Sequence, residues 1–179
     1  MAILKVARLG HPVIREKARD LDPAELQAAD FQRLVDDMVE TMHEYDGVGL
    51  AAPQIHLGLR LAVIEVPAYD DRVEDAVPLT VLVNPRLTLL GDERRLGYEG
   101  CLSIPGLRGD VPRHALLRLE ALDRQGKPYV LEAEDFFARV IQHECDHLDG
   151  NVYLDRMQGL RTLSFLDEFE KHHTERHDE

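Results

Sequence analysis

Residues 133–148 of this 179-residue chain contain neither glycine nor proline, and Gly150 follows them closely. Phe136, Phe137, Val140, Ile141 and Leu148 recur at helical spacing and wrap much of the way round. A segment of this kind predicts a helix that the rest of the fold must enclose, with the glycine as its stop. Within it lies Gln142-His143-Glu144-Cys145-Asp146-His147-Leu148. Positions i and i+4 share a helix face, so His143 and His147 can reach one metal ion together. Glu144 stands next to the first imidazole, where a carboxylate can handle a proton. An H-E-x-x-H run on a helix is the arrangement of a metal-dependent hydrolase. Cys145 sits roughly 200° round the helix from His143, which reads as a small core residue rather than a ligand.

Two imidazoles leave a tetrahedral ion short of donors, because a catalytic site usually has three protein ligands and an open position. Two sources for the third compete. Downstream, Glu168 and Glu170 are carboxylates of the sort that complete many H-E-x-x-H peptidases. Upstream, Cys101 in Glu99-Gly100-Cys101-Leu102-Ser103 offers a thiolate, a strong ligand for borderline or soft divalent metals. A third segment, Gly47-Val48-Gly49-Leu50-Ala51-Ala52-Pro53-Gln54, is a glycine-rich turn with an amide at its end. It has none of the features of a phosphate loop.

G-x-G-L-A-A-P-Q, E-G-C-L-S and Q-H-E-x-D-H-L in this order resemble the three-part signature of the peptide deformylases. The resemblance extends from about residue 6 to 155. It implies removal of the formyl group from the N-terminal formylmethionine of newly made proteins, with release of formate. It also implies that Cys101, His143 and His147 hold one divalent metal, with water in the fourth position. Glu144 is then general base and later acid, and Gln54 and the backbone N–H of Leu102 are donors to the developing oxyanion. The family's metal is generally iron(II), while Zn2+, Ni2+ or Co2+ also suit a Cys-His-His site and can replace it in a preparation. For the methionine side chain and the peptide, the candidates are Val48, Gly49, Gly106, Arg108, Phe136, Arg139 and Val140. Arg139, one turn before His143, is expected to line the pocket with its stem while its head reaches water. Glu99 and Arg113 are expected to pair and to hold the Cys101 segment in place.

The net charge of −13 argues against a broad basic surface for nucleic acid. Some deformylases dock on the ribosome through a basic C-terminal helix. Here residues 167–179 hold six acids against two Lys/Arg, with His172, His173 and His177 among them, which is the wrong charge for that route. The partners expected are therefore nascent formylated polypeptides, with any ribosome contact made otherwise. No stretch approaches the roughly 18 apolar residues of a membrane span, and the first residues lack a signal-peptide core. Two cysteines, one of them assigned to metal, argue against a disulfide and for a cytoplasmic setting.

The chain reads as one domain over residues 1–179, with 172–179 as an acidic, histidine-bearing tail. Residues 11–15 suggest a helical turn. Asp22-Pro23 opens a long helix that runs to Asp46-Gly47, with Leu26, Phe31, Leu34, Val35, Met38, Val39 and Met42 as its apolar stripe. Strands are expected at 59–66, 80–83, 86–90, 116–122 and 129–133, with a hairpin turn at 124–127 and a polar loop at 67–78. A last helix is expected at 157–171. Strands precede the metal helix rather than alternating with helices. This predicts an α+β fold, mainly antiparallel sheets around a central metal-binding helix with helices at both ends. The resemblance implies the same fold.

Overall fold

The structure is a computed structural model that describes residues 2–67 and 76–173. The chain opens with a 3-10 turn at Pro12–Arg15, then helix α1 (Pro23–Leu26) and helix α2 (Ala29–Glu44). Strand β1 (Gly49–Ala51) leads into a second 3-10 turn, Ala52–Ile55. Strands β2 (Leu61–Val66), β3 (Val77–Leu89), β4 (Arg94–Cys101), β5 (Ile104–His114), β6 (Leu116–Leu122) and β7 (Pro128–Glu134) follow. Helix α3 (Asp135–Leu148), a 3-10 turn at Tyr153–Asp155, strand β8 (Ser164–Phe165) and helix α4 (Leu166–His172) complete it. The strands form two antiparallel sheets, one in the order β1-β2-β3-β6-β7 and one in the order β4-β5-β8. The architecture is α+β around α3, as expected.

The five-stranded sheet has two covered faces where β1–β3 run, and the alternation of β2 shows why. Leu61 and Val63 join α1 and α2 in one cluster with Leu26, Phe31, Val35, Met38 and Met42. Ala62, Ile64 and Val66 face the other way and pack on Ala138, Val140, Ile141, Cys145 and Leu148 of α3. Successive strand residues point to opposite faces, so a strand buried on both sides must be apolar throughout. Ala51, Ala62, Ala121, Ala133 and Ala138 all lie in the α3 cluster, and their small side chains let the helix sit close to the sheet. Each fully buried Leu or Ile in these layers, Leu61, Ile64 and Ile141 among them, contributes about 1.5–3 kcal/mol. The other side of α3 meets the β4–β5 hairpin, whose own cluster holds Val111, Ile104 and Cys101 against Val13, Ile14 and Tyr153.

Several expected boundaries change. The long first helix is two helices, because Ala28 is extended (φ −72, ψ 138) between α1 and α2. The apolar step from Leu26 to Phe31 is five residues, too long for a continuous stripe, and Gln32 Nε2 caps the freed carbonyl of Leu26 at 3.0 Å. The two strands expected at 80–83 and 86–90 are one strand, β3, with an irregularity between Val83 and Arg86 where Asn84 takes φ 50. The Asn84 side chain receives the N–H of Leu21 and donates to its carbonyl, which holds that kink. The hairpin turn at 124–127 is present, with Gly126 at φ 80. Residues 133 and 134 finish β7 rather than start α3. The last helix is shorter than expected: Gly159 at φ 102 interrupts it, and residues 164–165 pair instead with Leu107 and Arg108. Of the polar loop expected at 67–78, residues 68–75 lie outside the described residues, and Val77 and Pro78 belong to β3. The tail from residue 174 also lies outside them. The strands β1, β4, β5 and β8 were not expected from sequence. No helix among the described residues is long and apolar enough to cross a membrane.

Candidate metal centre

Cys101 ends β4 at the tip of the hairpin, and a two-residue turn through Leu102 and Ser103 returns the chain into β5. His143 and His147 project from α3 with ring centroids 5.0 Å apart. Cys101 Sγ lies 3.2 Å from His147 Nε2, and the possible ligand atoms of Cys101, His143 and His147 all fall within 4.8 Å of one another. All three side chains are almost entirely withdrawn from solvent. Burial alone would push the Cys101 thiol up, but the charge on His147 and hydrogen bonds to His143 and His147 bring it well below its ordinary value. A thiolate and two imidazoles meeting in a buried site form a donor set for a divalent cation, and the residues fit one.

Glu99, two residues before Cys101, explains how His143 is aimed. Its Oε2 accepts from His143 Nδ1 at 2.9 Å, which leaves the other ring nitrogen for the centre. Arg113 donates to both Glu99 oxygens, at 2.9 and 3.0 Å, and through Nη1 to Asp146 at 2.6 Å. Arg156 completes the chain of charges with a bond of 2.6 Å to Asp146. Burial opposes the charge on Glu99, yet Arg113 and His143 hold its carboxyl far below the usual range. The expected Glu99–Arg113 pair is thus one link of a longer buried network. The sequence reading missed Asp146. Its signal was an acid in a helix buried nearly all round, which requires a cationic partner.

Gln54 is fixed by the turn that carries it. Its Oε1 accepts the N–H of Ala51 at 2.8 Å, which turns Nε2 toward the centre, 3.5 Å from Cys101 Sγ and 3.4 Å from Ser103 Oγ. The N-terminal segment ties the two motifs together: Ala7 donates to the carbonyl of Gln54 and Leu9 to that of Ser103. Glu144 is buried and its Oε2 has no hydrogen-bond partner. Burial raises its pKa to about 7, against the opposing pull of His143 and His147. Gly49 makes room for it: a Cβ there would lie 2.3 Å from Glu144 Oε1.

The expected substrate residues do not all gather at one place. Val48 and Val140 pack in the cluster under α3. Gly106 is exposed at φ 76 in β5, and the Arg108 guanidinium fills the space beside Gly100 that a side chain would occupy. Phe136 is half-buried and lines a cavity of about 230 Å3 with Arg95, Leu96 and His114, a cavity that includes none of the three metal donors. The expectation that the head of Arg139 reaches water is corrected: it is 9% exposed and donates into the β4–β5 hairpin. Glu168, the alternative ligand, is on α4, half-exposed and bonded to Lys171 at 3.1 Å. The metal-capable group among the described residues contains Cys101 and neither Glu168 nor Glu170.

Fold and donor set together define a metal-dependent hydrolase with a thiolate-bearing centre. The model of the polypeptide deformylase family matches residues 3–162. The chain is 40% identical over 178 residues to the chloroplastic/mitochondrial peptide deformylase 1A of Arabidopsis thaliana, a match covering 91% of this chain and 65% of that one. It is 37% identical over 172 residues to a peptide deformylase of Leptospira biflexa, covering 95% and 96%. A Met-Ala-Ser-bound crystal structure of a class I type b peptide deformylase from Acinetobacter baumannii superposes with a TM-score of 0.81 at 35% identity, covering 87% of this chain and 99% of that one. The chain belongs to the polypeptide deformylase family. It is an enzyme of a class that binds a divalent metal and removes the N-terminal formyl group from nascent proteins.

Proposed function

We propose that Cys101, His143 and His147 hold one divalent ion, iron(II) in the cell, and that this centre cleaves the formyl amide of nascent polypeptides beginning with formylmethionine. The convergence of a thiolate and two imidazoles within 4.8 Å, with Glu144 and Gln54 beside them, carries the reading. The ion, when bound, supplies Lewis acidity and lowers the pKa of water toward neutrality. Glu144, buried and with one oxygen unpartnered, takes the proton and delivers it to the departing amine. Gln54 Nε2, fixed by the Ala51 N–H, donates to the formyl oxygen as charge develops on it, together with the N–H of Leu102. An amide suits this task because it donates without a proton that can leave.

Val48, Gly49, Gly106, Arg108, Phe136 and Val140 are the residues proposed to meet the peptide. The solved relative with Met-Ala-Ser bound supports a short Met-led peptide as ligand class. The acidic balance of −13 favours meeting the nascent chain without a basic docking helix, and the two free cysteines favour the cytoplasm as the place. The test is formate release from formyl-Met-Ala-Ser set against cleavage of unformylated Met-Ala-Ser. Formate from the first and no cleavage of the second is expected. Cleavage of the second without formate from the first would replace this reading with a peptidase.

A further inference from the structure

We infer that Arg139 is a positioning residue for the metal centre, clamping the hairpin that ends in Cys101 to the helix that carries His143 and His147. The inference rests on the metal reading above. The three donors come from two separate elements, so something besides the ion must set the distance between β4 and α3. Arg139 lies one turn before His143 and reaches across that gap. Its Nη1 donates to Glu99 Oε1 at 2.9 Å, to the Val111 carbonyl at 2.8 Å and to the Gly97 carbonyl at 3.1 Å. Its Nη2 donates to the Arg95 carbonyl at 2.7 Å. All four acceptors belong to the hairpin, three of them to β4, the strand that delivers Cys101.

Other contacts cross the same gap by different routes. Gln142 exchanges two bonds with the backbone of His114, and Asp146 accepts from Arg113; both end on β5. Arg139 instead seizes the β4 backbone and the carboxylate that orients His143. Both Arg139 and Arg113 Nε occupy Glu99 Oε1, while Oε2 takes His143 and Arg113 Nη2. Gly97 is the matching half of the device. A Cβ there would lie 2.9 Å from the Arg139 guanidinium carbon and from Nη2. Its φ is not in the left-handed region, so glycine serves here to give the guanidinium space rather than to permit a turn.

The experiment uses the full chain loaded with cobalt(II) and follows transfer of the ion to a chelator, well below the melting temperature of the metal-free protein. Arg139→Met keeps the apolar stem and removes the donors. It should release cobalt about tenfold faster than wild type, the low end of what loss of support behind a ligand costs. Arg139→Lys keeps a charge for Glu99 and should recover part of that. Gly97→Ala, which displaces the guanidinium, should itself speed release, yet add no more than about twofold in the Arg139→Met background, because the two changes break one contact. If Arg139→Met fails to fold, Gly97→Ala alone carries the comparison. Unchanged release in these variants, with only a lower melting temperature, would overturn the inference and leave a structural role. Unchanged release with a raised KM for formyl-Met-Ala-Ser would also overturn it and return Arg139 to the substrate pocket. A wild-type chain that binds no cobalt would refute the metal reading itself, an outcome distinct from either.

Discussion

Gly49→Ala is the smallest change that tests the catalytic assignment of Glu144. The added Cβ would stand 2.3 Å from Glu144 Oε1, 2.7 Å from its carboxyl carbon and 2.9 Å from Cγ, where ordinary contact begins at 3.4 Å. The carboxylate must therefore retreat by about 1 Å, a misplacement that can cost about 10²-fold in rate. That corresponds to about 2.7 kcal/mol of transition-state stabilisation. Stability should change far less, because the clash falls on a movable side chain and Gly49 does not need a left-handed φ. The assay is formate release, with metal content and melting temperature measured on the same samples. kcat/KM should fall about 10²-fold while metal stays bound. Glu144→Ala should lose about 10²-fold or more and also keep its metal. The double variant should be no slower than Glu144→Ala, since a displaced base and a deleted base fail in the same step. Turnover near wild type in Gly49→Ala, or clearly additive losses in the pair, would refute the assignment.

Replacing Cys101 by Ala should abolish bound metal, whereas Glu168→Ala, on a side chain already engaged with Lys171, should leave it unchanged; metal analysis after dialysis decides, and full retention in the cysteine variant would sink the centre as drawn. Gln54→Leu removes one donor that is held in a fixed orientation by Ala51, so kcat should drop about 10²–10³-fold with little change in KM. A raised KM at constant kcat would instead make Gln54 a substrate-binding residue.

What was legible in the sequence follows from where the determining contacts lie. Helix α3 could be read because its signals are local: fourteen residues without glycine or proline, apolar spacing and a following glycine. The strands β6 and β7 could be read because one face is buried and the other is not. The β4–β5 hairpin could not. Arg94, Arg95, Gly97, Gly100, Gly106, Gly109, Asp110 and Pro112 give it poor strand character. It holds through the Glu99, Arg113, Asp146 and Arg139 bonds, whose partners are 14 to 40 residues apart in sequence. The same distinction runs through the site. The donors sit in short motifs, so their chemistry shows in the residue order. The charges that aim them are brought together only by the fold. A carboxylate buried this deeply needs several partners: Glu99 is met by Arg113, Arg139 and His143, and Asp146 by Arg113 and Arg156. This is why the network behind Cys101 and His143 extends past the single expected Glu99–Arg113 pair. Glu99 has both oxygens buried: Arg113 reaches each of them and Asp146 as well, His143 shares Oε2, and Oε1 still calls for a second donor. A second arginine on the metal helix meets that demand, which takes Arg139 out of the solvent where its stem-and-head chemistry alone would have placed it.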